Sequence, residues 1–347
     1  MAIGIGIIGA GGISRAHARG YLQILDEARI VGVADILEER AQAAAQEWGA
    51  EYAFGDYREL LALAEVDAVS VCTYTKAHCE PTVAALQAGK HVIVEKPMAA
   101  TTAEAHQMVE AQRASGKILM VGMKWRFMPE IQAAKAFIEA GNLGQIYYAE
   151  AIGWQHRGIP GGTFIKKETA GGGGFMDNGV YTLDAVLYMM GHPKPLTVSG
   201  TDANIFGHSP DGTWNIDDFS VEDFGTAYVR LEGGITLFFA HSWAINFPEQ
   251  WQMRIAGSRG SVEVFPFDSE LKLRLSHGGY SDLQDVTPGQ LPEGSADITY
   301  EIKQFVQAIR NRQPSPIPGD TFLYTNAIFD GLYQSSQLGR EVPVSLS

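Results

Sequence analysis

Three side chains able to do acid–base chemistry stand close together past the middle of the chain: Asp177, Tyr181 and Asp184. Their spacing puts two carboxylates and a phenol on one face of a helix. The apolar positions Val180, Leu183, Leu187 and Met190 recur with helical period, so a helix is expected there. Directly before it runs Gly171-Gly172-Gly173-Gly174. No stable helix or strand continues through such a run, and its backbone can approach a ligand or another strand closely. Taken alone, the stretch also fits a hinge leading into an ordinary amphipathic helix. The elements around it must decide.

A second set lies at the start of the chain. Residues 3–8 are a short apolar run that enters Gly9-Ala10-Gly11-Gly12-Ile13-Ser14. A strand running into glycines and then a helix is the dinucleotide-binding layout. Gly9 would make the tight turn, and Gly11 would admit a pyrophosphate at the helix N-terminus. Gly12 and Ile13 complete this candidate cofactor turn, and Ser14 replaces the third glycine of the fingerprint. Residues 29–35 read as a buried strand ending in Asp35, where a carboxylate accepts hydrogen bonds from ribose hydroxyls. A 2′-phosphate would be repelled there, so NAD is favoured over NADP. Asp35 also reads as the cap of a helix over residues 37–48.

Helices are expected at 56–64, 78–88 and 103–115, alternating with strands at 68–72, 91–95 and 118–122. That alternation predicts an α/β fold with a doubly wound parallel sheet covered on both faces. Ligands of such sheets lie at the C-terminal strand ends. There the sequence places Thr73 and Tyr74, then Glu95, Lys96 and Pro97, then Met123 and Lys124. Lys96 follows a buried strand and precedes a proline, which holds its backbone extended and aims its side chain from the sheet edge. The plain alternative for a lysine at a strand end is to reach solvent.

From Trp125 the pattern changes. A helix at 129–140 and a strand at 145–155 lead to the turn-rich loop His156-Arg157-Gly158-Ile159-Pro160-Gly161-Gly162. Strands follow at 197–206, 225–231, 235–243, 251–256 and 261–265 without helices between them, which predicts an antiparallel sheet. Helices at 298–312 and 321–337 are expected to close this second domain. The division is therefore a nucleotide-binding domain over 1–123 and a substrate and oligomerisation domain over 124–347. Trp125, Arg126, Trp154, His156 and Arg157 are candidates to line a pocket for a polyhydroxylated substrate. For His156 and Arg157 an incidental surface loop is the competing reading. The acidic loop over 211–223 has no metal-ligand spacing, and His208, His241 and His277 are scattered, so no metal site is expected.

A net charge of −14 argues against nucleic acid and anionic membrane surfaces as partners, since both need basic patches. Cys72 and Cys79 make no C-x-x-C pair and no disulfide framework, which points to a reducing compartment. The apolar start is broken by glycines and lacks a basic lead, so no signal peptide is expected, and no run is long enough to span a bilayer. A cytoplasmic protein is the resulting expectation.

Gly9-Ala10-Gly11, Ala88-Gly89-Lys90-His91-Val92 and Glu95-Lys96-Pro97 resemble the glucose–fructose oxidoreductase/inositol dehydrogenase/rhizopine catabolism family. Gly171-Gly172-Gly173, followed by Asp177, Gly179, Tyr181 and Asp184, is similar to that family's second signature. The segment Val221-Glu222-Asp223-Phe224, running to Gly234 and Ser242-Trp243, extends the resemblance over nearly the whole chain. It implies a Rossmann domain followed by an α/β domain with a large open, mostly antiparallel sheet, which often carries the interface of a dimer or tetramer. It also implies hydride transfer between a sugar, polyol or inositol-like C–OH and the nicotinamide of NAD(P).

In that resemblance Lys96 contacts the reacting oxygen and Asp177 belongs to the same polar group, holding Lys96 charged and in place. Tyr181 stands where most members have histidine and matches the branch that uses tyrosine as acid/base. A free tyrosine has a pKa of roughly 10, so it needs a nearby ammonium such as Lys96 to work at neutral pH. The Thr-Pro-Asn usual after the fourth strand reads here Thr73-Tyr74-Thr75, with His78 retained. Two rival readings accompany the dehydrogenase. One is NAD-dependent glycoside hydrolysis through transient sugar oxidation; the other is a non-catalytic NAD-binding regulator.

Overall fold

The computed structural model describes residues 2–209, 212–278 and 282–346. Asp211, the first residue of the expected acidic loop, lies outside the described residues. In chain order the first elements are β1 (Ile3–Ile8), α1 (Gly12–Leu22), β2 (Ala28–Ala34), α2 (Glu38–Trp48), β3 (Tyr52–Phe54) and α3 (Tyr57–Ala62). Then come β4 (Ala68–Val71), α4 (Cys79–Gln87), β5 (His91–Glu95), α5 (Thr102–Ser115) and β6 (Leu119–Gly122). The next are α6 (Pro129–Glu139), β7 (Ile146–Trp154), α7 (Lys167–Ala170), α8 (Val180–Met189) and β8 (Pro195–Ala203). A run of strands follows: β9 (Phe224–Leu231), β10 (Ile235–Ser242), β11 (Gln250–Gly257), β12 (Ser261–Val264), β13 (Leu273–Ser276) and β14 (Leu283–Val286). The chain ends with α9 (Ile298–Asn311), α10 (Leu323–Leu338) and β15 (Val342–Pro343).

Two compact units result, one of Met1–Lys124 with Ala296–Phe322, the other of Trp125–Ser295 with Leu323–Ser347. The first unit holds a six-stranded parallel sheet in the order β3-β2-β1-β4-β5-β6. That is the Rossmann order, with its switch point between β1 and β4. Its inner strands are nearly continuous apolar runs because helices cover both faces: Ile5, Ile7, Val69, Val71, Val92 and Val94 are fully buried. α9 was expected to close the second domain, and here the structure corrects the sequence reading. The helix lies along α1, where Gly20 leaves room for Ile302: a Cβ on that glycine would stand 3.2 Å from the isoleucine Cβ. Helical period gives a buried face but does not say which partner buries it.

The second unit is built on a nine-stranded sheet in the order β14-β13-β12-β11-β7-β10-β9-β8-β15. Every neighbouring pair is antiparallel except β7 and β10, which run parallel. α6, α8 and α10 cover one face, against which Ala149, Ala151, Val229, Leu237, Phe239, Met253 and Ile255 are buried. The alternate positions, among them Glu150, Tyr228, Arg230 and Arg254, point the other way, as period-two strands require. β13 and β14 were not expected from the sequence. They have four residues each and pair through Arg274 and Asp285, so their apolar alternation is too short to register. Among the described residues no helix is long and apolar enough to cross a membrane.

Candidate active site

In the first unit the C-terminal ends of the strands present the expected cofactor residues. Gly9 has φ 95°, and a Cβ there would lie 2.8 Å from the Cys72 carbonyl oxygen, so only glycine makes this turn. Gly11 and Gly12 are exposed, with open space where a Cβ would stand, at the start of α1. Ile13 follows, half-buried, and the Ser14 hydroxyl donates to the Gly11 carbonyl at 2.6 Å. Asp35 ties this turn down: its carboxylate accepts Ala10 N–H at 2.8 Å and Leu37 N–H at 2.9 Å. The exposed amide-lined turn and the neighbouring carboxylate fit the pyrophosphate and ribose of a dinucleotide.

Thr73 donates its hydroxyl to Ala77 O at 2.9 Å, and Tyr74 beside it is exposed. His78 is buried between two carbonyls, Pro97 O at 2.9 Å and Thr73 O at 3.1 Å. Burial pushes its pKa down, so the ring is neutral, and a neutral imidazole donates to only one of the two. His78 is therefore packed between the Thr73 loop and the Lys96-Pro97 segment and donates to one of them.

Beneath that segment lies a charged pair that sequence reading did not find. His17 on α1 is fully buried, and its Nε2 meets Glu95 Oε1 at 2.8 Å while Nδ1 meets Ser70 Oγ at 3.2 Å. The other oxygen of Glu95 accepts the Lys96 N–H at 3.2 Å. Desolvation pulls the His17 pKa down, but Cys72 and Glu95 more than offset it and hold the pKa well above the usual histidine value. Burial pushes Glu95 up, and the opposing pull of His17 leaves it below the usual value. The result is an imidazolium–carboxylate pair that fixes the backbone from which Lys96 projects. The signal was present as a histidine on the inner side of an amphipathic helix, but its partner lies 78 residues away.

Glu301 on α9 is a second buried acid in this cluster, and among the described residues neither of its oxygens has a hydrogen-bond partner. Desolvation, then repulsion from Glu95, raises its pKa to about 8, against weaker pulls from His17 and Lys124. Because the folded pKa lies above the unfolded one, this group's contribution to stability is intact below about pH 4.5 and is lost as pH rises toward 8. Glu301→Gln removes the loss. Chemical denaturation at pH 5 and pH 8 should show a variant advantage that grows by at least ~2 kcal/mol over this interval. A pH-independent difference would contradict the assignment.

In the second unit the glycine run meets a strand end instead of swinging free. Glu222 accepts Gly173 N–H at 2.8 Å and Phe175 N–H at 3.1 Å, and the Tyr333 hydroxyl donates to it at 3.0 Å. A Cβ on Gly173 would collide with the Glu222 carbonyl oxygen, and one on Gly172 with the Tyr333 hydroxyl. The glycines are therefore a close-approach device. Burial raises Glu222 to about 7 despite these donors. Past the run, Phe175–Gly179 forms one π-type turn before α8 begins. Its wider i→i+5 winding rotates Asp177 relative to the α-helical positions that follow.

Asp177 is half-buried and accepts the Trp243 indole N–H at 3.0 Å; Asn178 donates to Gln155 at 3.1 Å. Tyr181 is half-buried, with its ring stacked on Trp125 at 4.9 Å and 25°. Asp177 and Tyr181 thus both belong to the second unit, at the start of the helix that the glycine run delivers. His241, buried on β10, lies under the turn: Cβ atoms at Gly174 and Gly179 would stand 3.0 and 3.2 Å from it. Trp243, Glu222 and Tyr333 escaped the sequence-derived site; the Val221-Glu222-Asp223 and Ser242-Trp243 segments were visible only as parts of a signature.

Asp184 does not share this face, a second correction. It is fully buried and takes both ends of the Arg126 guanidinium, Nε to Oδ2 at 2.9 Å and Nη2 to Oδ1 at 2.7 Å. Arg126, expected to bind substrate, is itself only 2% exposed, and its guanidinium also lies over Tyr188 at 5.0 Å. The pair is a bidentate buried ion pair joining the start of the unit to α8. Arg126→Met would strand a buried carboxylate at a cost of about 3–5 kcal/mol. Thermal unfolding should register that loss; an unchanged midpoint with weakened substrate binding would restore Arg126 to the pocket.

His156 and Arg157 sit on an exposed loop pinned to residues 245–246: His156 Nδ1 meets Ile245 O at 3.1 Å, and Arg157 donates to Asn246 at 2.9 Å. Trp154 stacks on Phe224 at 6.2 Å, on the sheet face opposite α8 and so away from Tyr181. Sequence spacing located the strand end but not which side of it each residue takes. Among the described residues no three His, Cys, Asp or Glu side chains converge into a group that could hold a metal.

Comparison with known proteins agrees with this geometry. Residues 3–123 match the GFO/IDH/MocA oxidoreductase family, NAD-binding Rossmann fold, and residues 131–263 match the GFO/IDH/MocA C-terminal domain. A D-glucoside 3-dehydrogenase of Escherichia coli is 33% identical, over 97% of this chain and 96% of that protein. A scyllo-inositol 2-dehydrogenase (NAD(+)) of Bacillus subtilis is 26% identical over 98% and 95%. The fold is also that of a levoglucosan dehydrogenase solved with NADH, at a TM-score of 0.86 and 21% identity over 99% and 100% of the two chains. A Rossmann sheet with an open cofactor turn, a glycine-delivered helix bearing Asp177 and Tyr181, and a match over nearly the full length lead to one statement: the chain is a member of the GFO/IDH/MocA family of NAD-binding oxidoreductases.

Proposed function

We propose that the protein is an NAD-dependent dehydrogenase that oxidises a ring hydroxyl of a sugar, with Tyr181 as the acid/base and Lys96 orienting the reacting oxygen. The observation that carries this reading is the fixing of Tyr181: its ring lies on Trp125, and its helix is anchored by Glu222 through the glycine run. A phenol held in one pose can exchange a proton with a bound hydroxyl without first losing rotamer freedom. The nicotinamide, when bound, supplies the hydride acceptor. Gly9, Gly11, Gly12, Ile13 and Asp35 would hold the dinucleotide, with Thr73, Tyr74 and Lys96 at its nicotinamide end and the buried His78 and Glu95 supporting them from beneath.

Asp177, fixed by the Trp243 indole, keeps a carboxylate beside the tyrosine helix. His156, Arg157 and Trp125 stay in the proposed substrate set, Trp125 as the surface beneath Tyr181. The sugar assignment draws on similarity to the E. coli glucoside dehydrogenase. The open face of the large sheet, with Tyr148, Tyr228 and Phe238 among its residues and the Tyr228 and Phe238 rings 5.0 Å apart, is proposed as the contact of a homodimer or homotetramer.

The test is stoichiometric. With p-nitrophenyl β-D-glucoside and NAD, a dehydrogenase forms NADH mole for mole with oxidised sugar and releases no nitrophenol before NADH appears. Nitrophenol release that requires NAD but leaves no net NADH would replace the proposal with glycoside hydrolysis. Cofactor binding with neither product, across a panel of sugars, inositols and polyols, would leave a regulator.

A further inference from the structure

The aromatic side chains beside Tyr181 are more than a proton transfer needs. Trp251 and Phe267 both meet Trp125 edge-on, each at 5.6 Å between ring centres, and meet one another at 5.5 Å and 82°. Trp251, the second residue of β11, lies on the helix-covered side of the sheet, since Met253 and Ile255 in the same alternation are buried there. Its cross-strand neighbour is Gly153, where a Cβ would stand 3.0 Å from the indole, so the glycine makes room for the ring. This corner is not core: Trp251 is half-exposed and Phe267 is 61% exposed. Its rim is polar, with Glu249 accepting the Trp251 indole N–H at 2.9 Å. Clustered aromatic surface left in water beside polar groups is characteristic of a ligand site.

We propose that Trp251 and Phe267 form the platform for the C–H face of a pyranose ring, which makes cyclic sugars favoured substrates over open-chain polyols. The inference rests on the reading of Tyr181 as acid/base, because that places the reacting hydroxyl next to this corner. A pyranose chair offers a flat patch of C–H groups, slightly positive, to the negative face of an aromatic ring, while its hydroxyls project from the edge toward polar partners. An open-chain polyol has no persistent patch of that kind and must lose rotamer freedom to form one.

Two measurements on the full-length protein test this. In steady-state kinetics, Trp251→Leu and Phe267→Ala should each raise KM for methyl β-D-glucopyranoside about tenfold, the size of one stacking contact, with little change in kcat. The same variants should leave kcat/KM for D-glucitol within about twofold, and Trp251→Phe should restore most of the pyranoside affinity. Saturation-transfer NMR with methyl β-D-glucopyranoside should show strong transfer to its ring C–H protons in the wild type and loss of it in Trp251→Leu. Equal losses on glucoside and glucitol, or unchanged KM and unchanged transfer, would overturn the platform. If the wild type oxidises neither compound while Trp251-dependent transfer persists, the platform stands and the dehydrogenase reading of this site falls.

Discussion

Tyr181→Phe should lower kcat by about 10³-fold, within the range that a positioned general acid/base contributes, while leaving NAD affinity unchanged. The substitution removes only the hydroxyl. The ring keeps its stack on Trp125 at 4.9 Å, so the contact that orients the start of α8 persists. The residues proposed for the dinucleotide turn, Gly9 to Ile13 and Asp35, belong to the other unit. Fluorescence titration with NADH separates binding from turnover. A comparable fall in cofactor affinity, or a shift in unfolding midpoint, would mean that the hydroxyl is a structural group. Full turnover in the variant would remove Tyr181 from the chemistry.

The second large effect concerns shape, not protons. Gly173→Ala puts a methyl group into the Glu222 carbonyl oxygen. The run is held from both sides, by Glu222 on its N–H groups and by Tyr333 on Glu222. The overlap is with backbone, so no rotamer change relieves it, and a destabilisation of about 3 kcal/mol is expected. Gly161→Ala is the control: that residue has ordinary backbone angles and no neighbour within 4 Å of an added Cβ, so its unfolding midpoint should not move. If the Gly173 variant were as stable as this control, the run would be a flexible hinge after all, as its composition first suggested.

These two substitutions mark how far the sequence could be read. The Rossmann half was nearly transparent, because β1, β2 and β4 to β6 are apolar runs set between helical periods and the Gly9-Ala10-Gly11 turn has a fixed job; only β3, three half-buried residues, was not expected. The helix bearing Asp177 and Tyr181 was also legible from its apolar repeat. The π-type turn before it was not, since one extra residue of winding leaves no compositional trace. Treating 177, 181 and 184 as one ideal helical face therefore grouped Asp184 with the chemistry, whereas the structure assigns it to Arg126.

Long-range partners were the other blind spot. His17 and Glu95 are separated by 78 residues and Gly173 and Glu222 by 49, and neither pairing has a local signature. Both pairs serve to fix backbone, under Lys96 in one unit and under the tyrosine helix in the other. α9 shows the same limit at the level of a whole helix: its strong apolar face was evident, but its partner α1 lies at the opposite end of the chain.

The central claim is direct hydride transfer from a sugar C–OH carbon, with the accompanying proton handled by Tyr181. Its most direct test is mass spectrometry of the reduced cofactor after turnover of methyl β-D-glucopyranoside deuterated at its ring carbons. The account predicts reduced NAD carrying one deuterium from the substrate, formed by the wild type and nearly absent with Tyr181→Phe. Reduced cofactor without deuterium, or labelled product formed equally by both proteins, would contradict it.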